Sequence, residues 1–83
     1  MEEAKEKRVR KSVISEEVVL LGQRIKFLIR DKKLKTREVA HDADMDVENL
    51  RKYINGKQEM KVGTMLKIAK ALKVTVVELF PEN

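Results

Sequence analysis

Four polar or charged side chains in the middle of the chain recur at helical spacing, and these residues are the best placed to do chemistry. They are Glu48, Arg51, Lys52 and Asn55. Because they follow one another at i, i+3, i+4 and i+7, a helix brings all four to one face. That face combines cations, a carboxylate and an amide, which together donate and accept hydrogen bonds. The spacing indicates a binding surface for a polar partner.

Residue types that support catalysis or metal binding are scarce. The chain has no cysteine, which excludes disulfides, zinc-thiolate sites and thiol nucleophiles. His41 is the single histidine and has no clear ligand spacing around it. Ser12, Ser15, Thr36 and Thr64 lack a His/Asp arrangement, and no glycine-rich phosphate loop is present. We therefore expect no enzyme activity, metal site or cofactor, and no small-molecule ligand is evident.

Length and charge point to one small domain with an anionic partner. The 83 residues are 42% hydrophobic, which is enough for one modest core. A net charge of +5 favours an anionic partner such as nucleic acid. The longest mostly apolar run, Val18 to Leu21, is far shorter than the roughly 20 residues of a membrane helix. We expect a cytoplasmic protein without membrane contact.

The first 14 residues are predicted to form a flexible basic arm in front of a helical domain over residues 15–83. The basic residues of the arm are Lys5, Lys7, Arg8, Arg10 and Lys11. Few apolar residues accompany them, so the segment lacks the periodicity of a packed helix. Two interpretations stay open: a solvated tail, or an arm that follows a nucleic-acid backbone or enters the minor groove.

Capping residues and apolar spacing predict the first three helices. Ser15 can cap a helix that runs to about Lys32, and a second helix starts near Lys35 or Thr36. After a short turn, Asp46 can cap a third helix over Val47 to Ile54. That helix ends at Asn55-Gly56, where glycine can adopt the left-handed conformation that closes helices. Two short helices joined by a tight turn are the result.

Two further helices complete an all-α fold. The fourth carries apolar residues that we expect on its inner side: Val62, Met65, Leu66, Ile68, Ala69 and Leu72. It breaks near Lys73, and Thr75 can cap a last turn that Pro81 ends. Five helices in one bundle-like domain are the simplest architecture.

Five segments of the chain, taken in order, resemble the lambda-repressor-like, or Cro/C1-type (XRE), helix-turn-helix DNA-binding domains. They are Leu21–Lys26 with Leu28–Arg30, Glu38–Ala40, Asn55–Lys57, Leu66–Leu72 and Glu78–Phe80. The resemblance implies a five-helix domain of a prokaryotic protein, in which the helix from Val47 enters the major groove of double-stranded DNA. The matching positions that read base edges are Val47, Glu48 and Lys52, and Asn49 and Arg51 lie beside them. The matching positions that contact phosphate are Lys35, Thr36, Asn55 and Lys57.

The chain departs from the family pattern at several of these positions. Thr36 and Val47 stand where relatives often have glutamine. Val47 could pack against a thymine methyl group, Glu48 could accept from cytosine N4, and Arg51 or Lys52 could donate to guanine or phosphate. The acidic residues Asp42, Asp44, Asp46 and Glu48 are expected close to the DNA-facing side, where carboxylates oppose the approach of phosphate.

The resemblance also implies a homodimer, for which the last helix is the preferred interface. The interface residues are Val76, Val77 and Phe80, and Val77 stands where relatives often carry an acid. Further candidates for exposed apolar residues are Ile54, Met60 or Val19. A two-fold dimer presents two recognition helices to half-sites about one helical turn apart.

Two hypotheses for function follow from these features. The first is sequence-specific binding of double-stranded DNA by a transcriptional regulator, with repressor, antitoxin-like autoregulator and restriction-modification controller all left open. The second is a protein-interaction module that keeps the fold but has weak or no DNA binding of its own, which the acidic residues around the turn favour.

Overall fold

The computed structural model describes residues 15–80, which fold into five helices. In chain order they are α1 (Glu16–Asp31), α2 (Thr36–Asp42), α3 (Val47–Ile54), α4 (Val62–Leu72) and α5 (Val76–Leu79). No strand occurs in this part of the chain, so the predicted all-α, five-helix fold is confirmed. The predicted arm over residues 1–14 and the helix stop at Pro81 lie outside the described residues.

Side-chain caps start the helices where the sequence predicts them. The Ser15 hydroxyl accepts a hydrogen bond from the Val18 N–H at the start of α1. At α5 the Thr75 hydroxyl accepts from the Glu78 N–H, and the Glu78 carboxylate accepts from the Thr75 N–H. This reciprocal pair is a capping box, which satisfies amides that a helix start leaves without partners.

The first four helices all end in the same way. A residue just after each helix adopts a left-handed backbone, with φ of 58° at Lys33, 58° at Asp44, 69° at Gly56 and 61° at Lys73. The next amide then donates to a carbonyl in the last turn, as Leu34 N–H does to the Ile29 oxygen at 2.9 Å. These hydrogen bonds reverse the chain sharply. Of the four, only Gly56 is predicted in this role from the sequence, because positive φ is uncommon for residues other than glycine.

The core draws a buried residue from every helix. The largest fully buried side chains are Ile25, Val39, Leu50, Ile68, Leu72 and Leu79. Among the described residues no charged or polar side chain is buried. The core is therefore held by apolar packing, and the polar groups are left for the surface.

The pattern-based placement of three apolar side chains is wrong. Val62 and Leu66, expected on the side of α4 that faces the core, are 67% and 53% exposed. Leu66 lies about 100° around the helix from Met65, which takes the inward position instead. Ile54, a candidate for surface exposure, is only 8% exposed because the end of α3 packs against α1. The other two candidates, Met60 and Val19, are half-buried.

The main chain of α1 lies very close to the main chain at the end of α3. A Cβ atom added at Gly22 would overlap the Tyr53 carbonyl oxygen and would lie 2.6 Å from the Ile54 carbonyl oxygen. Both obstructing atoms belong to the main chain, so no rotamer change relieves the overlap. Glycine at position 22 therefore lets α1 cross α3 at backbone contact distance.

We expect Gly22→Ala to lower the free energy of unfolding by about 1–3 kcal/mol, since the added methyl group forces the two helices apart. Gly63→Ala is the matched control: Gly63 lies in α4, and a Cβ atom added there would have no neighbour within 4 Å. There the better helix propensity of alanine should raise stability by up to about 1 kcal/mol. Urea unfolding of both variants measures the difference, and equal effects would contradict the close-contact explanation.

Candidate nucleic-acid interface

Helices α2 and α3 form a helix-turn-helix unit joined by residues 43–46. Val39 and Ala40 on the inner side of α2 are almost fully buried, as is Ala43 directly after the helix. The Met45 N–H donates to the Ala40 carbonyl oxygen at 2.9 Å, and Asp44 at the apex has positive φ. Asp44 thus occupies the conformation that glycine often supplies in such turns, and aspartate is among the side chains that tolerate it.

The inner face of α3 fixes how the helix sits on the domain. Asp46 Oδ2 accepts a hydrogen bond from the Glu48 N–H at 3.2 Å, which confirms the predicted cap. Leu50 and Ile54 are buried, and Tyr53 is half-buried against the core. Because these contacts involve one side of α3, the opposite side is left to solvent.

The predicted binding residues lie mainly on that solvent-facing side. The exposed ones are Lys35, Glu48, Asn49, Arg51, Lys52, Asn55 and Lys57. Thr36 and Val47 are half-buried, and Val47 packs partly against the core. We use the name α3 outer face for the residues Glu48, Asn49, Arg51, Lys52 and Asn55.

An ion pair crosses the α3 outer face, and the sequence analysis missed it. Arg51 Nη1 lies 2.9 Å from Glu48 Oε2, one helical turn away. Within residues 15–80 it is the only side-chain ion pair. The i, i+3 spacing of opposite charges was available in the sequence as a signal.

The acidic residues in and around the turn have different surroundings. Asp42 and Asp44 line a surface depression with Lys67, Lys70 and Lys73 of the α4 end. Asp46 is engaged at the start of α3. Of the four carboxylates, only that of Glu48 belongs to the α3 outer face as defined above.

The described part of the chain contains neither a metal-binding cluster nor a membrane-spanning helix. Residues 15–80 contain no group of three acidic or histidine side chains that could hold a metal ion. None of the helices in that range has the length and apolar character needed to span a bilayer.

Comparison with known proteins identifies the family. A family model for the Cro/C1-type HTH DNA-binding domain matches residues 24–81. The chain belongs to this family. The resemblance seen in the sequence is thereby confirmed, and the helix-turn-helix formed by α2 and α3 falls inside the matched range. No curated protein matches the sequence.

Several solved structures share the fold. The restriction-modification controller protein C.AhdI from Aeromonas hydrophila is 27% identical, with a TM-score of 0.77 over 80% of this chain and 100% of that one. The clp gene regulator ClgR from C. glutamicum is 20% identical, with a TM-score of 0.75 over 78% of this chain and 84% of that one. A hypothetical transcription factor from Neisseria, NHTF, is 15% identical, with a TM-score of 0.74 over 88% and 84%.

The Asp46 cap yields a test of how α3 is positioned. Asp46→Ala should lower the free energy of unfolding by about 0.5–2 kcal/mol, because the Glu48 amide loses its acceptor. Asp46→Asn should lose much less, since asparagine also caps helix starts well. Urea unfolding compares the two variants, and equal losses would show that the carboxylate charge rather than the hydrogen bond stabilises the helix.

Proposed function

We propose that the protein is a transcriptional repressor that binds a specific double-stranded DNA site as a homodimer and carries out no catalysis. The observation that carries the proposal is the α3 outer face, an exposed set of donors and acceptors on the second helix of a Cro/C1-type helix-turn-helix. An α-helix fits the major groove of B-DNA, where base pairs differ in their donor and acceptor patterns. A dimer bound there blocks the same DNA to other proteins, which is a direct route to repression.

Different residues have different tasks in this proposal. Glu48 and Lys52 reach base edges from the α3 outer face, with Asn49 and Arg51 beside them. Val47 offers only its exposed part, which suits contact with a thymine methyl group. The phosphate contacts are assigned to Lys35, Thr36, Asn55 and Lys57. They lie at the start of α2 and just after α3.

Selection of duplexes from a randomised pool at low salt tests sequence-specific binding directly. We expect an enriched site with two related half-sites, centred about one helical turn apart. If no sequence is enriched, specific DNA binding is contradicted, and the protein-interaction module becomes the better hypothesis.

Alanine variants measured on the selected duplex separate base reading from phosphate contact. Lys52→Ala should weaken binding by about 1–3 kcal/mol and relax the preference at one base pair. Lys35→Ala and Lys57→Ala should weaken binding to all sequences alike and reduce the salt slope by about one each. Fluorescence anisotropy over a salt series gives both quantities. A uniform loss for Lys52→Ala would assign Lys52 to phosphate instead.

The homodimer is supported by apolar side chains exposed along α1 and α5. Val77 is 78% exposed, and Phe80, Leu20 and Phe27 are also exposed. Arg24 lies between the two helices: its Nε donates to the Glu78 carbonyl oxygen at 2.9 Å, and its guanidinium lies 5.5 Å from the Phe27 ring centre. We call this surface, defined by Leu20, Phe27, Val77 and Phe80, the α1–α5 face. Val76 is half-buried and packs against the core, so it offers less surface to a partner.

Val77→Asp should shift the protein from dimer to monomer, because the carboxylate would lose water in an apolar contact. The matched control is Leu66→Asp, which changes an exposed apolar residue of α4 outside the α1–α5 face. Sedimentation velocity measures the mass distribution, and circular dichroism checks the fold of each variant. Loss of the dimer in Leu66→Asp but not in Val77→Asp would move the interface to α4.

A further inference from the structure

The Glu48–Arg51 ion pair calls for an explanation other than stability. Both side chains are largely in solvent, with 68% of Glu48 and 47% of Arg51 exposed. Exposed ion pairs one turn apart on a helix add little to stability, because water and salt screen them. A carboxylate on a surface that faces DNA also opposes phosphate. The position of Glu48 therefore disfavours general affinity for DNA.

The geometry of the pair restricts what Arg51 can do. The pair joins Nη1 to Oε2 at 2.9 Å, which leaves donors on the other guanidinium nitrogens and leaves Oε1 of Glu48 to accept. The backbone of Glu48 is fixed in turn by the Asp46 cap. Two side chains that otherwise rotate independently are thus held together, with donor and acceptor groups side by side.

This arrangement matches one type of base pair better than the other. Along the major-groove edge of a G·C pair, the N7 and O6 acceptors of guanine are followed by the N4 donor of cytosine. The remaining donors of Arg51 can meet the guanine acceptors while the Glu48 carboxylate meets the cytosine amine. An A·T pair places its donor between two acceptors and adds a methyl group, so it satisfies fewer of these groups.

We propose that Glu48 and Arg51 read one G·C base pair as a single unit, in which Glu48 is a specificity-determining residue that also positions Arg51. This proposal rests on the proposed DNA-binding function. If the two side chains read the DNA independently, each would keep its effect on base-pair preference after the other is removed. In the paired reading, removal of either side chain abolishes the effect of the other on that preference.

A double-mutant cycle on the selected duplex tests the proposal with the full chain. Glu48→Gln, Arg51→Ala and the double variant are measured by fluorescence anisotropy on the selected duplex and on duplexes with one base pair changed. We expect wild type to prefer G·C at one position by about tenfold or more. Each single variant should lose most of that preference at the same position, and the double variant should lose no more than either single one.

Glu59→Gln is the matched control for net charge. Glu59 is an exposed carboxylate that lines a depression beside Phe80 and Met60 and does not belong to the α3 outer face. We expect Glu59→Gln to leave the G·C preference unchanged. Circular dichroism of each variant confirms that exposed substitutions leave the helices intact.

Three results would overturn the paired reading while specific DNA binding stands. Glu48→Gln could act equally with and without Arg51, the two single variants could affect different base pairs, or Glu48→Gln could raise affinity for all sequences with the preference intact. The last result would show that Glu48 only repels phosphate. If wild type enriches no sequence at all, the proposed function fails and the paired reading fails with it.

Discussion

The contact between Gly22 of α1 and the carbonyl oxygens of Tyr53 and Ile54 is the constraint on which the orientation of α3 depends. Main-chain atoms meet there without an intervening side chain, so the separation of the two helices is set by atoms that cannot change rotamer. Gly56 adds a second close contact, since a Cβ atom added at Gly56 would lie 3.1 Å from Val19 Cα. Both contacts involve the last turn of α3 and the residues that close it, which fixes the end of the helix against α1.

Packing on the core and the proposed recognition of DNA are consequently divided between the two sides of α3. Leu50 and Ile54 hold the helix on the core, and Asp46 determines where it starts. Side chains such as Lys52 and Asn55 are exposed on the opposite side and take no part in the core. Substitutions on the α3 outer face should therefore test the proposed binding at little cost to the fold, because surface changes away from caps and buried groups have small effects on stability.

Local signals in the sequence predicted the helices, because caps and closing residues act within one turn. Ser15, Asp46, Thr75 and Gly56 all have the predicted roles. Exposure was harder to predict for residues whose neighbours are distant in sequence. Ile54 is buried because α1 crosses at Gly22, a contact that no local pattern contains.

The candidate site could also be predicted only in part. Helical spacing placed Glu48 and Arg51 on one face, since that follows from backbone geometry alone. Which charges pair depends on rotamers, and Glu48, with cations at both i+3 and i+4, pairs with the one at i+3.

Helix α1 links the two surfaces that a DNA-bound dimer would use. Gly22 contacts the end of α3, and Arg24 reaches α5 through its hydrogen bond to the Glu78 carbonyl oxygen. These residues occupy neighbouring positions on one continuous helix, yet they face different helices. The distance and orientation between the α3 outer face and the α1–α5 face are thus set by a helix rather than by a loop. In a two-fold dimer formed through the α1–α5 face, the distance between the two recognition helices would follow from the geometry of α1, and with it the half-site spacing of the DNA that the dimer fits.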